Sequence, residues 1–147
     1  MFWQWATVVG LAMTPALVLG QSAAAGAGIG FGFDGWVLVP VIAIAGFIEG
    51  MFVAWLGGAS TRLGVIHRWC DKLRTPKATA FAGKYGPWGG MFVGVAAVGQ
   101  EPILLALRWL GLGTRKLVLP TAVSNVAFAI IYYVIVRLGF DITDLFH

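Results

Sequence analysis

Glu49 and Glu101 each stand inside a long apolar run: between Asp34 and Asp71 the only acid is Glu49, and between Asp71 and Asp141 it is Glu101. An ionised carboxylate at a bilayer centre costs about 2.5–3.5 kcal/mol on insertion scales, so a proton, a cation or a basic partner must offset it. The chemistry open to such residues is reversible binding of a proton, a cation or a cationic substrate. Gln100 immediately precedes Glu101, and Arg108, seven residues further on, can pair with Glu101 along one helix face. Asn125 shares a helix face with Thr121 and Ser124 by their spacing of three and four. That trio serves either as hydrogen-bonding glue between helices or as lining of the same cavity as the glutamates. The competing reading is structural. A Glu101–Arg108 pair, or Glu49 held by a neighbouring backbone N–H, would then only lock helices together, and a glutamate at the interface would do neither.

The local sequence at each glutamate predicts an interrupted helix. Pro102 has no N–H, so an unbroken helix would leave the carbonyl of Val98 without its partner. Gly99-Gln100-Glu101-Pro102 therefore reads as a break followed by a new helix, with Glu101 near its N-cap and Pro102 at its first position. A carboxylate there faces the positive end of the helix dipole. Gly46 and Gly50 flank Glu49 in the same way. Each resulting half has about ten residues, roughly 15 Å, too short to cross a bilayer alone. Broken or re-entrant helices follow, allowed in lipid only where protein or water surrounds them.

The elements that carry these residues are apolar spans. Hydrophobic residues make up 59% of the 147, only ten Lys or Arg and six Asp or Glu are present, and mean hydropathy is +0.86. An ordinary soluble domain is roughly a quarter charged, so this composition excludes a soluble globule and equally a disordered chain. The expected fold is all-α: a polytopic helical membrane protein forming one transmembrane domain over 1–147. An N-terminal span or anchor covers 1–20. A second segment covers 36–58 with Glu49, a basic interfacial stretch 62–84, a third segment 87–113 with Glu101, and a C-terminal span 117–138. Ala23, Ala24 and Ala25 resemble a signal-peptide cleavage region. However, no Lys or Arg precedes the apolar run, and Phe2, Trp3 and Trp5 look like an interfacial belt, which favours a retained anchor. The Gly- and Ala-rich residues 20–35 read as a flexible connection.

Ile66, Trp69 and Leu73 sit at helical spacing among Arg62, Arg68, Lys72, Arg74, Lys77 and Lys84, the pattern of an amphipathic helix on lipid headgroups. The positive-inside rule puts 62–84 on the cytoplasmic side of the cell inner (plasma) membrane. If the third segment re-enters, Arg115 and Lys116 share that side. The net charge of +4 and pI of 9.6 thus follow from orientation and need no nucleic-acid partner. Cys70 is the only cysteine, His67 lies three residues before it, and no further ligand is near, so no metal and no cofactor are expected. No nucleophile–base pair or phosphate loop is present, and no enzyme is expected.

An internal duplication is also legible. Glu49 is followed by Trp55-Leu56-Gly57 and Thr61-Arg62-Leu63, and Glu101 by Trp109-Leu110-Gly111 and Thr114-Arg115-Lys116-Leu117. Transporters often place the substrate site where two inverted repeats meet.

From Lys84-Tyr85-Gly86, through an apolar run with a Gly and Pro break, Leu110-Gly111-Leu112 and a basic turn, to a long helix ending Leu138-Gly139, the chain resembles the small multidrug export family. The DedA-like membrane proteins share that layout. Glu49 stands where the export family has Glu-Leu-Arg-Gly, but Gly50-Met51 follow it here. The family's Pro-Gly-Thr-Gly break is replaced by Gly99-Gln100-Glu101-Pro102, and the Arg-bearing DedA motif has no counterpart. The resemblance implies a small transporter. The two intramembrane carboxylates point to proton or cation coupling through Glu49 and Glu101, and so few helices enclose a pathway poorly, so a homo-oligomer is expected. The DedA likeness implies lipid movement between leaflets. Apart from any resemblance, a non-catalytic accessory subunit of a larger membrane complex stays open as the alternative.

Overall fold

The computed structural model describes residues 1–13, 19–60, 64–73 and 75–144, with backbone alone at 19, 65, 66, 69, 73, 140 and 142–144. Among these residues the secondary structure is helical throughout, with no strand. In chain order the helices are α1 (Phe2–Ala12), α2 (Leu19–Gly30), α3 (Gly35–Ala59), α4 (Gly64–Leu73) and α5 (Pro76–Gly89). A π-helical turn at Gly90–Gly94 leads into α6 (Val95–Val98), α7 (Gln100–Trp109) and α8 (Thr114–Asp144).

Two helices are long and apolar enough to cross a membrane, α3 over Gly35–Ala59 and α8 over Thr114–Gly139. Twenty-five residues at 1.5 Å each give α3 about 37 Å. Each exposes an apolar stripe: Ile44, Ile48, Phe52 and Trp55 on α3, and Leu119, Val123, Val126, Ile130, Val134 and Leu138 on α8. Stripes of that extent are foreign to a soluble surface and suit hydrocarbon.

The contacts divide the chain into two compact units, one of Met1–Gly46 with Asn125–His147 and one of Phe47–Ser124. In the first, Val8, Ala24, Ala25, Leu38, Ile42 and Ala129 form a buried core. Trp5, early in α1, stacks on Phe33, just beyond α2, with ring centroids 4.0 Å apart. The helices α1 and α2 therefore lie side by side and antiparallel. At 11 and 12 residues, about 16 and 18 Å, neither helix reaches across a bilayer. Two expectations are corrected here. Residues 1–20 are not one spanning helix, because α1 ends at Ala12, and residues 20–35 are mostly the helix α2 instead of a flexible connection. Their small side chains let neighbouring helices approach closely, which outweighs weak intrinsic helix propensity.

The helix α3 runs unbroken through Gly46, Glu49 and Gly50, so the break expected there does not form. Both glycines instead serve close packing, and a buried helix tolerates a glycine at about 1 kcal/mol. The basic stretch holds α4 and α5, with the Thr75 hydroxyl accepting from the Ala78 N–H at 3.1 Å as the N-cap of α5. Arg68, Lys72, Lys77 and Lys84 are exposed. The apolar side chains expected to face lipid, Ile66, Trp69 and Leu73, lie outside the described side chains, as do Arg62 and Arg74.

The third segment does break, at Gly99 (φ 98°, ψ 167°), a backbone region essentially restricted to glycine. Gly90 packs on Leu107 and Gly94 on Ile103, so the two limbs run antiparallel and the chain turns back at Gly99. Gly99 is the N-cap of α7, and Pro102 falls in its third position, two later than expected. The first turn's N–H groups have no helical partners, so a proline is tolerated there too. Trp109-Leu110-Gly111 closes α7, whereas Trp55-Leu56-Gly57 still lies within α3, and Thr61-Arg62-Leu63 lies outside the described residues.

Candidate functional site

Glu49 sits just past the middle of α3, and Gln100 and Glu101 open α7 at the turn of the hairpin. The structure brings the three together. Gln100 Nε2 donates to Glu49 Oε2 at 2.9 Å. The Glu101 carboxylate, 6% exposed, lies near enough to Glu49 for the two charges to repel. Glu49 Oε1 is buried without a hydrogen bond. Gly50, one residue on, lies against the Gln100 amide and the Thr121 methyl, and Thr121 is fully buried. A Cβ at position 50 would push the Gln100 side chain off its place, which accounts for glycine beside Glu49. The result is a part-buried cluster of two carboxylates and one amide.

Arg108 does not join it. Its Nε donates to the Ala54 carbonyl at 3.0 Å and its Nη1 to the Leu112 carbonyl at 2.6 Å. Seven residues of helix carry it about 10 Å along the axis from Glu101. There it finds carbonyls near the ends of α3 and α7, where the helix dipole favours a cation. The expected Glu101–Arg108 pairing is therefore replaced by a clamp on backbone carbonyls, with Gly57 and Gly58 leaving room for the guanidinium. Next to it, Trp109 Nε1 donates to Ser60 Oγ at 3.1 Å, and His67 stacks on the Trp109 ring at 4.9 Å. Cys70 is fully buried, and burial pushes its thiol up while a Ser60 hydrogen bond opposes the shift. His67 and Cys70 thus dock α4.

Asn125 belongs to the other unit. There its Oδ1 accepts from Gln21 Nε2 at 2.6 Å, and Gly46 lies against both side chains. Gln21 went unnoticed in the sequence because it stands in a run of small residues. A signal was present, however. Gly20-Gln21 recurs as Gly99-Gln100, and Gly32 and Gly111, both with positive φ, follow at the same distance. Each ends its helix with the same pair of bonds, Gly32 N–H to Ile29 and Phe33 N–H to Gly28 in α2, Gly111 N–H to Arg108 and Leu112 N–H to Leu107 in α7. Gln21 then bonds to α8 and Gln100 to α3.

Compared with protein-family models, curated proteins and solved structures, the chain matches none.

Proposed function

We propose that this chain is a small multi-pass membrane protein that transports a substrate with a proton or small cation, bound between Glu49 and Glu101. The observation that carries the reading is the Gln100–Glu49 hydrogen bond at the Gly99 turn, with Glu101 beside it and Glu49 Oε1 buried and unbonded. Two carboxylates that repel each other away from bulk water need positive charge between them, and a proton or cation supplies it. The hairpin limbs, residues 87–98 and α7, are each about half a bilayer long, so a re-entrant path from the basic side would bring Glu101 near the midplane. The recurrence of Gly-Gln, a short helix, a positive-φ glycine and a long helix supports an internal repeat of α2–α3 in α7–α8, in a different register from the pairing of the Glu49 and Glu101 segments. In this reading the basic residues 62–84 face the cytoplasm across the inner (plasma) membrane. So few helices enclose a pathway poorly, so the active form is a homo-oligomer. The layout shared with the small multidrug export family fits this function.

The test is flux in proteoliposomes carrying a pH-sensitive dye. Glu49→Gln and Glu101→Gln are expected to cut proton-linked flux at least about tenfold, the loss of one strong interaction in the bound state, with thermal stability retained. If folded wild-type protein moves no cation and both variants merely lower yield, the site is a helix lock and the chain an accessory subunit of a larger complex.

A further inference from the structure

The first unit contains a cleft of about 680 Å³ lined by Asp34, Trp36, Val39, Pro40, Ile130 and Tyr133. Its lining combines one acid with aromatic and apolar side chains. Asp34 precedes the first turn of α3, its carbonyl accepts the Val37 and Leu38 N–H groups, and the residue is exposed and supplies the one charge of the lining. Pro40 has no N–H, so the carbonyl of Trp36 loses the partner that a helix would give it. Trp36 is 93% exposed and can fold over an occupant. The Tyr133 ring packs against Gly35, where a Cβ would collide with it. Val39, Pro40 and Ile130 present only carbon to it. Among the described residues that line the cleft, none is basic.

We infer that this cleft binds an amphiphilic amine, an ammonium head on an apolar tail. The head would sit between the Asp34 carboxylate and the Trp36 carbonyl, with the aromatic faces of Tyr133 and Trp36 against its positive charge. The tail would lie along Val39, Pro40 and Ile130. The lack of a base discriminates against zwitterionic phospholipids, whose phosphate would find no donor cation and would face Asp34. This site is independent of the Glu49 and Glu101 carboxylates.

The experiment is equilibrium dialysis of the protein in nanodiscs against decylammonium, with empty discs subtracted. Saturable binding of one per chain, about tenfold tighter than decanol, is expected from one charge-assisted contact partly shielded from water. Asp34→Asn keeps the helix-capping geometry and is expected to reduce decylammonium to the level of decanol. Tyr133→Leu should weaken it several-fold, and Glu49→Gln should leave it unchanged. If Asp34→Asn does not fold, Ile130→Trp fills the cleft from α8 and must abolish binding at unaltered thermal stability. The inference is overturned if decanol or decylphosphocholine binds as tightly as decylammonium, if methylammonium matches it without a tail, or if Asp34→Asn has no effect.

Discussion

At Gly50 the absence of a side chain holds a hydrogen bond in place. Alanine there would press on the Gln100 amide and the Thr121 methyl, and overpacking of this kind costs about 1–3 kcal/mol. Gly50→Ala is expected to lower the thermal midpoint in detergent and to reduce flux, because Gln100 loses its position on Glu49. Gly10→Ala provides the contrast. It lies in α1 with open space where a Cβ would go, so it should raise stability by up to about 1 kcal/mol through helix propensity. If the two variants melt alike, packing at Gly50 is not tight. The glutamates themselves were legible, since isolated acids in apolar runs are conspicuous and Gln100 adjoins one of them. The direction of Arg108 was not, because a spacing of seven says only that two residues share a face and nothing about the carbonyls waiting at the helix ends. Gln21 was hidden by its setting, a polar residue in a Gly- and Ala-rich stretch whose helical state depends on tertiary packing.

Among the elements, the hairpin at Gly99 depends on a backbone conformation, and the first-turn proline beyond it is secondary. Gly99→Ala forces a Cβ into a region of φ and ψ that costs about 1–3 kcal/mol. It should unfold the hairpin more readily than Pro102→Ala, whose restored N–H lies in a turn that makes no use of it. Hydrogen exchange over residues 90–107 reads the difference, and equal protection in both variants would contradict the assignment. The docking of α4 has its own probe. Cys70 is buried on that helix and its thiol is raised above the usual range, so thiolate is scarce near neutrality. Alkylation of the native protein should be slow, should quicken as pH rises toward the thiol's own titration, and should speed up at fixed pH in Trp109→Ala, which removes the ring that His67 stacks on. The sequence announced the break at Gly99 because Gly and Pro act locally. It misjudged Gly46 and Gly50 because a glycine inside a helix can equally mark a close neighbour, and only the packing partner decides which.

For the whole molecule, the proposed function carries a proposed topology of two crossings and a re-entrant hairpin, and labelling tests it. Two crossings by α3 and α8, with the hairpin entering and leaving on one side, put the end of α3, the basic helices and the start of α8 together. That arrangement gathers Arg68, Lys72, Lys77, Lys84, Arg115 and Lys116 on a single face, as the positive-inside rule favours. A crossing by the third segment would instead strand Arg115 and Lys116 opposite the others. Single cysteines in a Cys70→Ser background distinguish the two paths without removing a charge: Ala80→Cys and Gly113→Cys are exposed on either side of the hairpin, and Gly139→Cys marks the far end of α8. A membrane-impermeant maleimide should label positions 80 and 113 from the same side and position 139 from the other. Labelling of 80 and 113 from opposite sides would mean that residues 87–113 span. Glu101 would then sit in a continuous pathway, and the hairpin turn at Gly99 would have to open in the bilayer.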